Sequence, residues 1–204
     1  MEYYELHPVT PQIRYINKAV EVLKSGGIII YPTDTVYGLG CDIYNKAALE
    51  RLFAIKQDTN TKLFSFVCPD LKDISKYAKV SDYAYKAMKH LLPGPYTFVL
   101  PAAKEVPKKL WTKRRTVGIR VPKNIISITL ARELGNPLVS TSACKRAGEI
   151  LNNPEEIKNI FNSQVDLMLS AGHLNGQVSS IIDLSTDGGP EIIRIGAGDV
   201  SMFE

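Results

Sequence analysis

A chain of 204 residues, 45% hydrophobic and 23% charged, is long enough to bury a continuous core and too apolar for disorder to be the expectation. The opening MEYYELHPVT has no basic run ahead of an apolar stretch, and no later segment has the uncharged length that crosses a bilayer. Secretion and membrane spanning are therefore not expected, and a cytoplasmic location is.

The first helix is predicted to begin with Thr10 as its cap and Pro11 in the first turn. Ile13, Ile16, Val20 and Leu23 recur at helical spacing until Gly26-Gly27 breaks the pattern. Ile28-Ile29-Ile30-Tyr31 is a short β-branched run of the kind buried in a central strand. Asn45 is placed to cap a helix with Leu49, Leu52 and Phe53 inward, and 64–67 (FSFV) reads as the next strand. Ser81 is placed to cap a helix carrying Ala84, Tyr85, Met88 and Leu92 on one face. Pro93-Gly94-Pro95 ends it, and Tyr96 to Leu100 returns as a strand.

Val117 to Val121 alternates around Gly118 and Arg120 as a strand does. Ile128, Ala131 and Leu134 mark a helix closed by Gly135, and Pro137 to Ser140 leads out again. Asn153-Pro154 opens a last helix, with strands predicted at Val165–Leu169, Ser180–Leu184 and Ile192–Ile195. The interleaving predicts a helix-flanked sheet of mixed direction, and the lack of repeats or linkers predicts one domain over 1–204.

Charge is uneven along the chain, although the net charge is only +4. Between Lys104 and Lys123 stand eight basic residues against Glu105. Between Glu149 and Glu204 stand nine acids against Lys158 and Arg194. The basic stretch reads either as a solvated lysine-rich loop or as a surface that attracts phosphate or RNA. Cys41, Cys68 and Cys144 cannot all pair within the chain and include no CxxC, so free thiols are expected. His7, His90 and His173 are scattered, so no structural metal is expected.

The segment Pro32 to Gly40, PTDTVYGLG, directly follows the first buried strand. It places the hydroxyls of Thr33 and Thr35, the carboxylate of Asp34 and the phenol of Tyr37 at a strand's end, ahead of two glycines. Two readings fit: a loop that lines a ligand, or a capped turn with Tyr37 in the core. Arg120 and Arg194 interrupt apolar strand runs, where an unpaired charge is expensive, so each needs a ligand or a carboxylate partner.

The run GGIIIYPTDTVYGLG at 26–40 resembles the opening signature of the YrdC/YciO/Sua5 family. The likeness continues through PGPYTFVL at 93–100, TVGIRVP at 116–122, PLVSTSA at 137–143 and IIRIGAGDV at 192–200. It covers nearly the whole chain, and TKRRTVGIRVP and EVPKKL bring it nearest the YciO branch. The resemblance implies an α/β fold, a YrdC-like twisted open mixed β-sheet flanked by helices, with a positively charged concave surface.

It further implies chemistry like that of the threonylcarbamoyl-adenylate synthases. There ATP, with Mg2+ as its counterion, and L-threonine bind one cavity, and threonine takes up bicarbonate or carbon dioxide. The carbamate attacks the α-phosphate and releases pyrophosphate, and other proteins pass the product to an adenosine of tRNA. By the same likeness Lys56, Lys62 and Arg120 would be the catalytic cations, and Thr33, Thr35 and Tyr37 would contact the reactants. Ser140, Ser142, Ser180 and Arg194 would close around nucleotide and phosphate.

Two positions depart from the family pattern: its KxR motif reads Lys56-Gln57-Asp58, and its STSAN reads STSAC with Cys144. The first exchanges an anion-gripping arginine for a carboxylate, and the second an amide for a weak sulfur donor. Lys145 and Arg146 stand next to Cys144 as candidates to restore positive charge. No histidine is near Cys144 in sequence, so an inert thiol is expected there. These departures keep a second reading open, a non-catalytic protein bound to double-stranded RNA, tRNA or the ribosome.

Overall fold

The structure is a computed structural model that describes residues 1–56, 64–72, 74–110, 112, 114–145, 149–186 and 188–204. Among the described residues ten strands form one sheet: β1 (Glu2–Glu5), β2 (Ile29–Tyr31), β3 (Gly38–Asp42), β4 (Ser65–Val67), β5 (Tyr96–Pro101), β6 (Thr116–Arg120), β7 (Leu138–Ser142), β8 (Leu167–Ser170), β9 (Ser180–Asp183) and β10 (Glu191–Arg194). Their order across the sheet is β1-β8-β2-β3-β7-β4-β6-β5-β9-β10. Four neighbouring pairs are parallel (β1 with β8, β8 with β2, β4 with β6, β5 with β9) and the other five antiparallel, so the sheet is mixed and open, with β1 and β10 at its edges.

Among the described residues five α-helices cover it: α1 (Ile13–Lys24), α2 (Lys46–Ile55), α3 (Asp82–Leu91), α4 (Ile125–Leu134) and α5 (Pro154–Phe161). Successive strand side chains point to opposite faces, and each face builds its own apolar cluster. Ile28, Ile30, Leu39, Phe66, Phe98, Ile119 and Val139 pack with α2, α3 and α5. Ile29, Tyr31, Val67, Leu138 and Leu167 pack with α1 and α4 on the other side.

The caps at Asn45, Ser81 and Asn153 are where the sequence places them, each side chain accepting from a backbone N–H of its helix's first turn. Gly135 closes α4 with φ 84, a conformation that favours glycine. Thr10 does not cap α1. Its N–H and hydroxyl are both engaged by Nδ1 of His7 at 3.0 Å, so the helix waits until Gln12. Tyr85 is exposed, because the buried stripe of α3 runs through Ala84, Ala87 and Met88.

Two strands lack a sequence signal. β1 is EYYE, with no inward apolar alternation, and gains its place by parallel pairing to β8. β3 is GLGCD, whose glycines read as loop. Among the described residues no helix is long and apolar enough to cross a membrane.

Candidate functional site

Strand register gathers small and polar side chains onto one face at the middle of the sheet. Gly38 and Gly40 of β3 lie opposite Ser142 and Ser140 of β7, and Ser140 lies opposite Ser65 of β4. Ser65 lies opposite Gly118 of β6, with Val67 opposite Arg120 and Val99 opposite Gly118. Paired residues share a face, so this is the face whose flank α1 and α4 cover. Where aliphatic side chains would otherwise stand, the sheet here has a floor of hydrogen, hydroxyl and guanidinium groups.

The glycines make room for a tyrosine. A Cβ at Gly38 would stand 2.9 Å from the ring of Tyr31, and one at Gly40 would stand 2.8 Å from the Val139 carbonyl. Tyr31 is fully buried and donates from its hydroxyl to Oγ of Ser140 at 2.7 Å. Burial pushes its phenol up to about 12, although the Ser140 hydrogen bond and the Arg120 charge pull the other way. Tyr31 therefore remains a neutral donor at physiological pH.

Arg120 is the centre of this floor. Its Nη2 donates to Oδ1 of Asp34 at 2.9 Å and to Oγ1 of Thr35 at 3.0 Å, which ties β6 to the loop after β2. Thr33 and Thr35 share a hydroxyl contact at 3.0 Å, and the Thr33 hydroxyl donates to the Val36 carbonyl at 2.6 Å. The loop is clamped from α4: Lys123 N donates to Asp34, Asn124 to the Thr33 carbonyl, and Ser127 to the Pro32 carbonyl. Among the described residues Arg120 Nε alone is a buried side-chain donor with no partner. An orphaned buried donor costs about 1–3 kcal/mol, which an acceptor placed beside it would return.

Arg194 reaches the same neighbourhood from β10. Its Nε and Nη2 donate to the Ser179 carbonyl at 2.9 and 2.8 Å, and Ser179 in turn shares a 2.9 Å hydroxyl contact with Thr97. Burial first and the Arg120 charge second hold Arg194 below the ordinary arginine value. An anion bound near both would offset that repulsion.

At the other end of the floor, Lys56 caps the C-terminal end of α2 and is buried. Its Nζ donates to the Ser142 carbonyl at 3.0 Å and lies 2.7 Å from Sγ of Cys144. Lys145 brings no uncommitted charge, because it bridges Glu149 at 3.0 Å and Glu156 at 2.8 Å. Lys62, Gln57, Asp58 and Arg146 lie outside the described residues.

Two other sequence candidates stand apart from the floor. Tyr37 lies in the apolar cluster on the opposite face, donating to the Gly172 carbonyl at 2.6 Å and accepting from Ala171 N at 3.1 Å. Ser180 donates to the Gly198 carbonyl at 2.6 Å and accepts from Gly196 N at 2.9 Å, which fastens the C-terminal segment. Of the basic stretch, Lys104, Lys108, Arg114, Arg115 and Lys123 are exposed, whereas Arg120 is interior. Among the described residues no group of three or more His, Cys, Asp or Glu side chains is placed to hold a metal ion.

Residues 21–196 match the family model Sua5_yciO_yrdC, whose description is Telomere recombination. The chain belongs to the Sua5/YciO/YrdC family. YciO of Escherichia coli K12 is 44% identical over 204 residues, spanning 99% of this chain and 98% of that protein. The E. coli YciO crystal structure superposes over 100% of both chains with a TM-score of 0.94 at 43% identity, which puts the chain in the YciO branch.

A threonylcarbamoyl-AMP synthase of Coxiella burnetii is 32% identical over 157 residues, 76% of this chain and 83% of the synthase. P. abyssi Sua5, in a crystal structure complexed with L-threonine, has a TM-score of 0.89 at 22% identity. That match spans 99% of this chain and 59% of Sua5, and at such identity it shows the fold. The family's twisted, helix-flanked sheet is thus the fold observed.

Five floor residues of this family member were not among the site residues expected from the sequence: Tyr31, Ser65, Thr97, Gly118 and Ser179. A signal for three of them is present. In FSFV, YTFVL and TVGIR a small residue alternates with buried aliphatics and aromatics, which marks a strand whose second face meets something other than apolar packing.

Proposed function

We propose that the polar floor binds ATP and L-threonine and supports formation of L-threonylcarbamoyladenylate, the reaction class of the synthase relative. The observation that carries this reading is Arg120: interior, held in place through Nη2, and left with an orphaned Nε beside a second arginine. A guanidinium built in this way is preorganised for a carboxylate or phosphate. The glycines and serines around it leave the backbone and hydroxyl groups within reach of a flat or extended ligand.

In this reading Arg120 and Arg194 take negative oxygens of the substrates, and Lys56 adds a cation at the Ser142 end. Thr33 and Thr35 fix Arg120 and offer hydroxyls toward L-threonine. Ser140 and Ser142 line the nucleotide's path. The amine of threonine takes up bicarbonate with loss of water, and the carbamate oxygen displaces pyrophosphate from the α-phosphate. The protein's part is alignment and charge stabilisation, with no covalent nucleophile required. Mg2+ enters with the ATP phosphates as their counterion. Tyr37 and Ser180 act as fasteners of the surrounding backbone.

Product analysis tests this. Purified protein incubated with ATP, L-threonine, bicarbonate and Mg2+ is expected to yield threonylcarbamoyladenylate and pyrophosphate, and neither when threonine is omitted. No product from folded protein, beside an active synthase control, would reject synthase chemistry for this chain.

A further inference from the structure

Lys56 and Cys144 stand 88 positions apart in sequence, yet Nζ and Sγ are 2.7 Å apart, shorter than a hydrogen bond to sulfur ordinarily runs. Neither group is loosely held. The Lys56 amine is buried and also anchored on the Ser142 carbonyl at 3.0 Å, and the backbone at Cys144 forms an isolated antiparallel bridge with Ile150. Cys144 is partly exposed, so a small oxidant can reach the sulfur. Two reactive atoms fixed at this distance react as if at very high concentration.

We propose that Lys56 and Cys144 form a covalent modification site at which peroxide joins Nζ to Sγ through a single oxygen atom. A first hydrogen peroxide inserts oxygen at Sγ, giving the sulfenic acid and one water. A second is reduced to two waters as it accepts the two electrons released when that oxygen bonds to Nζ. The ammonium gives one proton to solvent, and the sulfenic acid and the amine each lose one hydrogen to those waters, which leaves one hydrogen on Nζ. The product is an N–O–S bridge, and thiols reduce it back to lysine and cysteine.

The other two cysteines supply internal controls. Cys41 and Cys68 are buried, and burial pushes both thiols up to about 12, where thiolate is scarce at neutral pH. The bridge removes a positive charge from the Ser142 end of the floor, so oxidation is expected to weaken anion binding there. The modification itself does not depend on whether the floor takes an adenylate.

The test uses the native full chain, treated with hydrogen peroxide, alkylated, and digested without reductant by a protease that spares lysine. Mass spectrometry is expected to find the Lys56 and Cys144 peptides joined, with one oxygen more and two hydrogens fewer than their sum. Dithiothreitol should abolish the joined species, and Cys41 and Cys68 should remain alkylatable after denaturation. In Lys56→Arg the joined peptide should vanish while Cys144 advances to sulfinic acid. Sulfinic or unmodified Cys144 in the native protein, with Lys56 in a separate peptide, would overturn the proposal. A joined pair that lacks the oxygen would replace the bridge with a direct sulfenamide.

Discussion

Arg120→Met is expected to destabilise the fold by about 3–5 kcal/mol, because it leaves the Asp34 carboxylate without its cation in a site closed to most water. The Arg120 and Asp34 side chains are only 10% and 8% exposed, and Asp34 would keep just the Lys123 N–H among its present charge-stabilising contacts. Methionine fills much of the arginine stem's volume, so the loss reports charge more than cavity. Denaturant unfolding of Arg120→Met, Asp34→Asn and the double variant measures this. The double variant should be more stable than Arg120→Met alone, since it removes the stranded charge. A loss below about 1 kcal/mol for Arg120→Met would mean that Asp34 reaches solvent and that the pair is not the brace described.

Arg194→Ala is expected to separate binding from stability. The side chain is half-buried on the edge strand, and its removal surrenders donors to Ser179 without stranding an opposite charge. The expected stability loss is about 1 kcal/mol. If Arg120 and Arg194 share an anion, ATP affinity should fall at least about tenfold, equivalent to roughly 1.4 kcal/mol. Calorimetric titration beside a thermal melt reads both quantities. Unchanged ATP affinity would remove Arg194 from the site and leave it the fastener of Ser179.

The fold was legible where local chemistry decides it. Asn45, Ser81 and Asn153 cap helices as their residue types predict, and Gly135 ends one because φ 84 favours glycine. It was illegible where a distant partner decides. β3 is a strand because β2 and β7 flank it, and its glycines admit the Tyr31 ring instead of turning the chain. β1 is a strand because β8 offers an edge. Thr10 misled because its hydroxyl, the group a cap would use, is engaged by Nδ1 of His7 three residues upstream.

The site followed the same division. Arg120 and Arg194 stood out because a charge in an apolar strand needs a partner, and the structure gives Arg120 both a carboxylate and an unfilled donor. Tyr37 shares a motif with Thr33 and Thr35 but belongs to the opposite face, a difference that depends on strand register. The contact between Lys56 and Cys144 joins the retained lysine of one altered motif to the cysteine that departs from the other. It arises from tertiary packing across 88 residues, which no local spacing encodes.

The most direct measurement is a crystal structure of the protein grown with ATP and L-threonine. The account predicts a carboxylate or phosphate oxygen about 3 Å from Arg120 Nε, with the ligand lying over Gly118, Ser65 and Ser140. Ligand density elsewhere, such as the separate cavity lined by Lys72, Tyr77 and Arg132, with Arg120 Nε still unpartnered, would contradict it.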